Sequence, residues 1–222
     1  MKMPSVSGAR GFRSVAIIVL AASAGAGAAL QAEAQGRDRT VNVAMEDQFR
    51  NRRETGLLLG DVVVLIFAER KGAEEAHALG EKLHVRFHPT AAQAPATEWA
   101  RQPVIGLPGW PAGVRVPDVH AIPVACLPEV PKAMHPVVRA RVRKESPYLS
   151  VWLDFTGVME QTFGLVAGVP NVVILDPGGR VHSVLSGRFD ELKTQDLVAT
   201  IDHIRMQSRP DIRTAAVPAA AR

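Results

Sequence analysis

Three sets of residues in this chain of 222 carry side chains able to do chemistry, and each lacks something that the chemistry needs. Cys126 is the single cysteine. In an oxidising compartment it can make no internal disulfide, which leaves a buried thiol, an intermolecular link or a reactive group. As a nucleophile it would need a base and a stabilised thiolate, yet the nearest histidine that follows it, His135, is separated from it by prolines. The preferred reading is a small apolar residue at a strand end, with Cys126 retained as the candidate for thiol catalysis. His77, Glu81, His84 and His88 recur at i, i+4, i+7 and i+11 and so share one helical face, a row that could ligate zinc or copper. No H-E-x-x-H pattern or second cluster completes that row, and it borders an apolar stripe, so the half-exposed flank of a packed helix is the competing reading. Arg70 and Lys71 precede Gly72, Ala73, Glu74 and Glu75 where a strand passes into the same helix. Two cations beside the amides of Gly72 and Ala73 could hold an anion or a carboxylate, against the alternative of a solvated turn. No Gly-rich phosphate loop and no G-x-S-x-G elbow is present, and no cofactor is expected.

Alternating strands and helices have to position these residues. Residues 41–49 read as an N-terminal hairpin, and residues 62–67, apolar without alternation, read as a strand covered on both faces. A helix over residues 72–87 follows, with Ala76, Leu79, Gly80, Leu83 and Phe87 on one face and Pro89 as its stop. Ten of the sixteen prolines fall within residues 89–136. That density resists helix and central strand and predicts a long ordered insert, with one strand over residues 119–124. Trp99 and Trp110 on this insert fit loop packing over a core edge or a binding loop. Residues 137–145 form a basic helix carrying Arg139, Arg141, Arg143 and Lys144, read as a solvated face rather than an anion site. A strand over 149–155, a short helix over 158–163, a strand over 172–175, an Asp176-Pro177-Gly178-Gly179 turn and a strand over 181–185 complete the pattern before a closing helix over 192–206. The alternation predicts an α/β layer architecture.

Lys2, Arg10 and Arg13, the apolar run from Val15, and Ala32-Glu33-Ala34 have the form of a Sec-type signal peptide over residues 1–34. The mature chain is expected to start near Gln35, in a bacterial periplasm or beyond, with no membrane span after signal removal and no lipidated cysteine. The full-chain charge of +4 falls to +2 without Lys2, Arg10, Arg13 and Glu33, too little to argue for nucleic acid or an anionic membrane as partner. The expected domain covers residues 40–206, with the Pro-rich insert at 89–118 and an Ala- and Pro-rich disordered tail at 207–222.

The succession of elements resembles the thioredoxin-like superfamily, of the redoxin type. Asp47-Gln48-Phe49 is similar to a redoxin hairpin motif, and residues 62–74, VVVLIFAERKGAE, match the family's strand and active-site turn without a gap. Phe163-Gly164-Leu165 with Gly168-Val169-Pro170-Asn171 resembles the family's run into its cis-proline and next strand. The resemblance implies a three-layer fold with a central mixed sheet flanked by helices. It also implies a cis Pro170, with Val169 offering its backbone to an extended partner.

The departures concern the chemistry. Lys71 and Glu74 stand where the family has its two redox cysteines, Ala73 replaces the intervening proline, and Leu65 replaces the buried carboxylate that relays protons. A dithiol reductase needs a thiolate to attack and a second thiol to resolve, and neither lysine nor glutamate supplies one. The C-x-x-x-C pair of copper-binding members and the P-x-x-x-T-x-x-C site of peroxiredoxins are missing as well. The expected function is an exported, redox-inactive protein that binds a peptide or protein partner through Arg70, Lys71, Gly72, Glu74, Val169 and Pro170, with the Pro/Trp insert as a further contact. The alternatives are an oxidoreductase using Cys126 and a periplasmic metal-binding protein.

Overall fold

The computed structural model describes residues 40–209, so the signal segment and residues 210–222 of the expected tail lie outside the described residues. Strands β1 (Ala44–Asp47) and β2 (Arg52–Glu54) form the N-terminal hairpin. Strands β3 (Val62–Ala68), β4 (Val119–Cys126) and β5 (Trp152–Asp154) run parallel to one another, whereas β6 (Asn171–Leu175) and β7 (Val181–Ser186) extend the sheet antiparallel beyond β3. The sheet order is β2-β1-β5-β4-β3-β6-β7. Helices α1 (Ala73–Phe87), α2 (His135–Glu145), α3 (Val158–Phe163) and α4 (Glu191–Gln207) connect or follow the strands. This is a thioredoxin-like α/β fold, with the elements in the predicted order.

Every residue of β3 and β6 is buried, because alternate side chains feed cores on opposite faces of the sheet. Val63, Leu65 and Phe67 join Ile122, Val124, Met159 and Val173 on one face. Val62, Val64, Ile66 and Ala68 join Leu79, Leu83 and Phe87 of α1 and Leu197, Ile201 and Ile204 of α4 on the other. Each large apolar side chain so buried contributes about 1.5–3 kcal/mol, so the two cores make β3 the anchor of the three layers. The α1 stripe is the predicted one, and the helix stops at His88, whose φ of −126° and ψ of 71° lead into Pro89.

Three local differences have identifiable causes. β5 is shorter than expected because the side chain of Gln48 occupies the chain before it: Nε2 donates to Ser146 O and Leu149 O, and Oε1 accepts from Val151 N. β4 continues past Val124 to Cys126 and contains Pro123; pairing with β5 begins only at Val124, so the strand tolerates a proline before that point. The β6–β7 connection takes in Arg180 beyond the four turn residues predicted, Asp176 to Gly179. Asp176 Oδ1 accepts from Gly178 N and Arg180 N, each at 2.9 Å, and the register shifts between Ile174 and Leu175.

Candidate functional site

β3 delivers the chain to a single 3-10 turn, Arg70–Gly72, at the head of α1. Arg70, Lys71 and Glu74 are exposed there, while Gly72 is buried. Only glycine fits at 72, since a Cβ would stand 2.8 Å from the carbonyl carbon of Val169 and 2.9 Å from its oxygen. Gly168, with φ of 74°, lies under the Lys71 side chain, whose Cδ is 3.2 Å from where a Cβ would be. The turn and the loop before β6 therefore form one continuous surface, as the resemblance implied. Asn171 organises that loop: Nδ2 donates to Val166 O and Val169 O at 3.1 and 3.0 Å, while Oδ1 accepts from Val166 N at 2.9 Å and from Ser186 Oγ at 2.7 Å. Asn171 is a site residue that the motifs do not point to. Its signal was a polar side chain opening an otherwise apolar buried strand.

The site departs from expectation in three ways. The peptide bond before Pro170 is trans, since the described residues contain no cis bond. Gly168 in the left-handed region turns the chain ahead of the proline, and Asn171 takes the Val169 carbonyl, so the loop enters β6 without a cis bond. Pro170 is itself buried, and its carbonyl accepts from Gly187 N at 3.0 Å. Second, the amides of Gly72 and Ala73 are not open to an anion, because Gly72 N donates to Glu69 O and Ala73 N to Arg70 O. Third, the Pro/Trp insert meets the sheet at the opposite end of β3, where Arg115 Nη2 donates to Asp61 at 2.7 Å. A strand of this length spans about 20 Å, so Trp99 and Trp110 do not join the Lys71 surface.

Cys126 ends β4 beside Asp154 in register and is only 9% exposed. Burial, with the nearby carboxylates of Asp154, Glu69 and Glu160, pushes its thiol up to about 12. Asp154 is wholly buried and is occupied in starting α3, accepting from Thr156 N, Val158 N and Met159 N. His135 does not serve as its base by hydrogen bonding; Nε2 meets Val130 O at 3.1 Å and the ring stacks on Phe155. A thiolate in this setting is strongly disfavoured. Alkylation of Cys126 at pH 8 is expected to run at least ~100-fold slower in the folded protein than in urea. Equal rates would return Cys126 to the list of reactive groups.

The histidine row of α1 is not assembled as a ligand set. His77 Nδ1 lies 3.7 Å from Glu81 on the exposed side, whereas His84 and His88 are buried. His84 Nε2 donates to Trp99 O at 2.8 Å, and His88 directs Nδ1 to Gln102 O and Nε2 to Val119 O at 2.9 and 3.1 Å. Among the described residues no group of three or more His, Cys, Asp or Glu side chains is arranged to hold a metal. The α2 arginines have an unforeseen use. Arg139 reaches Asp47 O and Glu46, and Arg143 reaches Gln48 O while covering Phe49, so this basic face clamps the N-terminal hairpin.

No family model and no curated protein sequence matches the chain. Similar solved structures include the exposed lipoprotein thioredoxin of Streptococcus pneumoniae, at 14% identity over 73% of this chain and 99% of that one, with a TM-score of 0.47. A putative protein disulfide isomerase of Bacteroides thetaiotaomicron shares 14% identity over 77% of this chain and 89% of its own, with a TM-score of 0.49. A putative thioredoxin of Neisseria meningitidis shares 15% identity over 77% and 92%, with a TM-score of 0.48. These likenesses are in chain path, and no residue role is carried over from them. Among the described residues no helix is long and apolar enough to cross a membrane.

Proposed function

We propose that the chain is an exported thioredoxin-fold protein without dithiol chemistry, which binds a peptide or protein partner with the exposed side chains of Arg70, Lys71 and Glu74. The observation that supports this reading is the fitted contact between Gly72 and the Val169 backbone, which keeps the turn and the loop as one surface although no thiol remains there. The contact differs from the backbone recognition first expected. The Val169 carbonyl is committed to Asn171 and Pro170 is buried beneath the loop, so side chains make the contact and Val169 and Pro170 shape the platform under them. Export rests on the signal-like residues 1–34.

The test is retention of a partner from the extracytoplasmic fraction by the wild type and by the Arg70→Glu, Lys71→Glu double variant. These exposed substitutions should leave stability within about 0.5 kcal/mol while retention falls at least ~10-fold, the equivalent of 1.4 kcal/mol. A partner held equally by both proteins would place binding elsewhere. Thiol-driven reduction of insulin by the wild type at a thioredoxin-like rate would remove the redox-inactive reading altogether.

A further inference from the structure

A strand inside a sheet needs backbone partners on both of its sides. β4 has β3 beside it from Val119 to Ala125, but β5 only from Val124 to Cys126. Val62 N donates to Asp118 O, so in this parallel ladder residues 118, 120 and 122 turn their backbone groups to β3, while residues 119, 121 and 123 turn theirs to the open side. Pro123 has no N–H to give, so the ladder with β5 does not zip further down. Gln48 holds residues 146–151 instead, through Ser146 O, Leu149 O and Val151 N. At Val119 the protein supplies its own partners: the N–H donates to Asp118 Oδ1 at 2.6 Å, and His88 Nε2 meets the carbonyl at 3.1 Å. Ala121 is what remains. Among the described residues neither its N–H nor its carbonyl has a partner, and the residue is only half-buried.

A cavity of about 270 Å³ opens along this edge, with residues 119–123 as one wall. Its charged groups are committed to one another: Arg52 to Glu54, Arg53 to Asp47, His120 to Asp61, and Asp118 to His88. His84 Nε2 and both ring nitrogens of His88 meet backbone carbonyls. Nothing in the cavity therefore selects an ion, and what is unmatched is one amide donor beside one carbonyl acceptor, the pair that an extended chain presents in return. The two sides of the edge differ. Leu58 and Trp152 share the core of Ile122, with Leu57 beside them and 77% exposed, whereas Ala121 faces the core that α1 covers.

We propose that this gap receives an extended, uncharged segment of a partner protein, which adds to β4 as a short strand in line with β5 and exchanges backbone hydrogen bonds with Ala121. Side chains alternate along a strand, so the residue opposite Ala121 points to α1 and its two neighbours point to Leu57 and Leu58. The segment that fits is apolar at those two neighbours. This contact is independent of the Lys71 surface, because Ala121 lies opposite Val64 near the start of β3, and the turn Arg70–Gly72 follows the end of that strand.

Titration of the full chain with acetyl-Val-Thr-Val-amide, and with the same peptide N-methylated at its threonine, tests the site, with the backbone amides followed by NMR. Without peptide the Ala121 amide should exchange with solvent at least tenfold faster than those of His120 and Ile122, which face β3. The unmodified peptide at millimolar concentration should shift the Ala121 resonance saturably and slow its exchange. The methylated peptide, which lacks the N–H for the Ala121 carbonyl, should bind at least tenfold more weakly. Ala121→Pro removes the open N–H and leaves the β3 ladder intact, and should weaken the unmodified peptide as much. Equal binding of the two peptides, undiminished binding by Ala121→Pro, no saturable shift at Ala121, or shifts confined to residues 70–74 would each overturn the proposal. So would slow Ala121 exchange that depends on protein concentration, since that gives the edge to a second copy of this chain. Should Ala121→Pro not fold, the methylated peptide decides on the wild type.

Discussion

Replacing Arg205 with alanine is expected to destabilise the protein by about 3 kcal/mol, the scale seen when one partner of a buried charged network is removed. Arg205 is on α4 yet fully buried. Its Nε donates to Pro117 O at 3.0 Å, Nη2 to Ile105 O at 2.7 Å and Nη1 to Asp202 at 3.1 Å, while the guanidinium lies over the Phe87 ring. Two of these acceptors are backbone carbonyls from the irregular insert, which has no sheet or helix to satisfy them. Alanine would leave both without a donor and open a void against Phe87. For a domain of this size the loss corresponds to a fall in melting temperature of roughly 6–12 °C, readable by calorimetry. Arg205→Lys should recover only part of it, because an ammonium cannot span three divergent acceptors as the planar fork does. An Arg205→Ala protein melting within about 2 °C of the wild type would show that the insert is not anchored through α4.

Asp47→Ala is expected to cost a similar amount, about 3 kcal/mol, by stranding several donors in the buried corner of the N-terminal hairpin. The wholly buried carboxylate accepts from Phe49 N, Asn51 N and Nδ2, Arg53 Nε and Ser150 Oγ. Burial alone would raise its pKa, but the hydrogen bonds from Asn51, Arg53 and Phe49 outweigh it and hold the group below the ordinary aspartate range. Asp61 behaves in the same way, burial being overcome by Arg115, the Asp118 amide and His120. Since both folded-state values are depressed, their stabilisation is present above the unfolded value of roughly 4 and disappears as pH falls through the folded values. Urea midpoints followed from pH 7 to pH 2 should decline chiefly below about pH 4, and the decline should be shallower in Asp47→Ala. Parallel curves for the two proteins would mean that Asp47 titrates alike in folded and unfolded chains.

Much of the architecture was legible in the linear pattern. The uninterrupted apolar runs in β3 and β6, the 3.6-residue stripe Ala76, Leu79, Leu83 and Phe87, and the proline after α1 named the elements and their order. Those signals are local, so they survive without knowledge of neighbours. Side chains that bond to distant backbone left no comparable trace. Gln48 shortens β5 from a position 98 residues ahead of Ser146, and Arg139 and Arg143 looked like a solvated face until the hairpin was seen beneath them. His84 and His88 had the spacing of ligands, yet His84 Nε2 and His88 Nδ1 are used by carbonyls of an insert whose path no periodicity could give.

The segment VVVLIFAERKGAE illustrates where the line falls. Its composition alone determined that the turn holds no thiol, since the absence of two sulfurs is a covalent fact that no folding can reverse. Sequence named Gly72, Val169 and Pro170 only as parts of an expected partner surface. Only the tertiary structure decided what surrounds them: Val169 against Gly72, the trans bond before Pro170, the Asn171 side chain on the loop carbonyls, and Cys126 buried among carboxylates. Each depends on the distance between residues far apart in the chain, and such distances are set by how two hydrophobic cores close on one sheet.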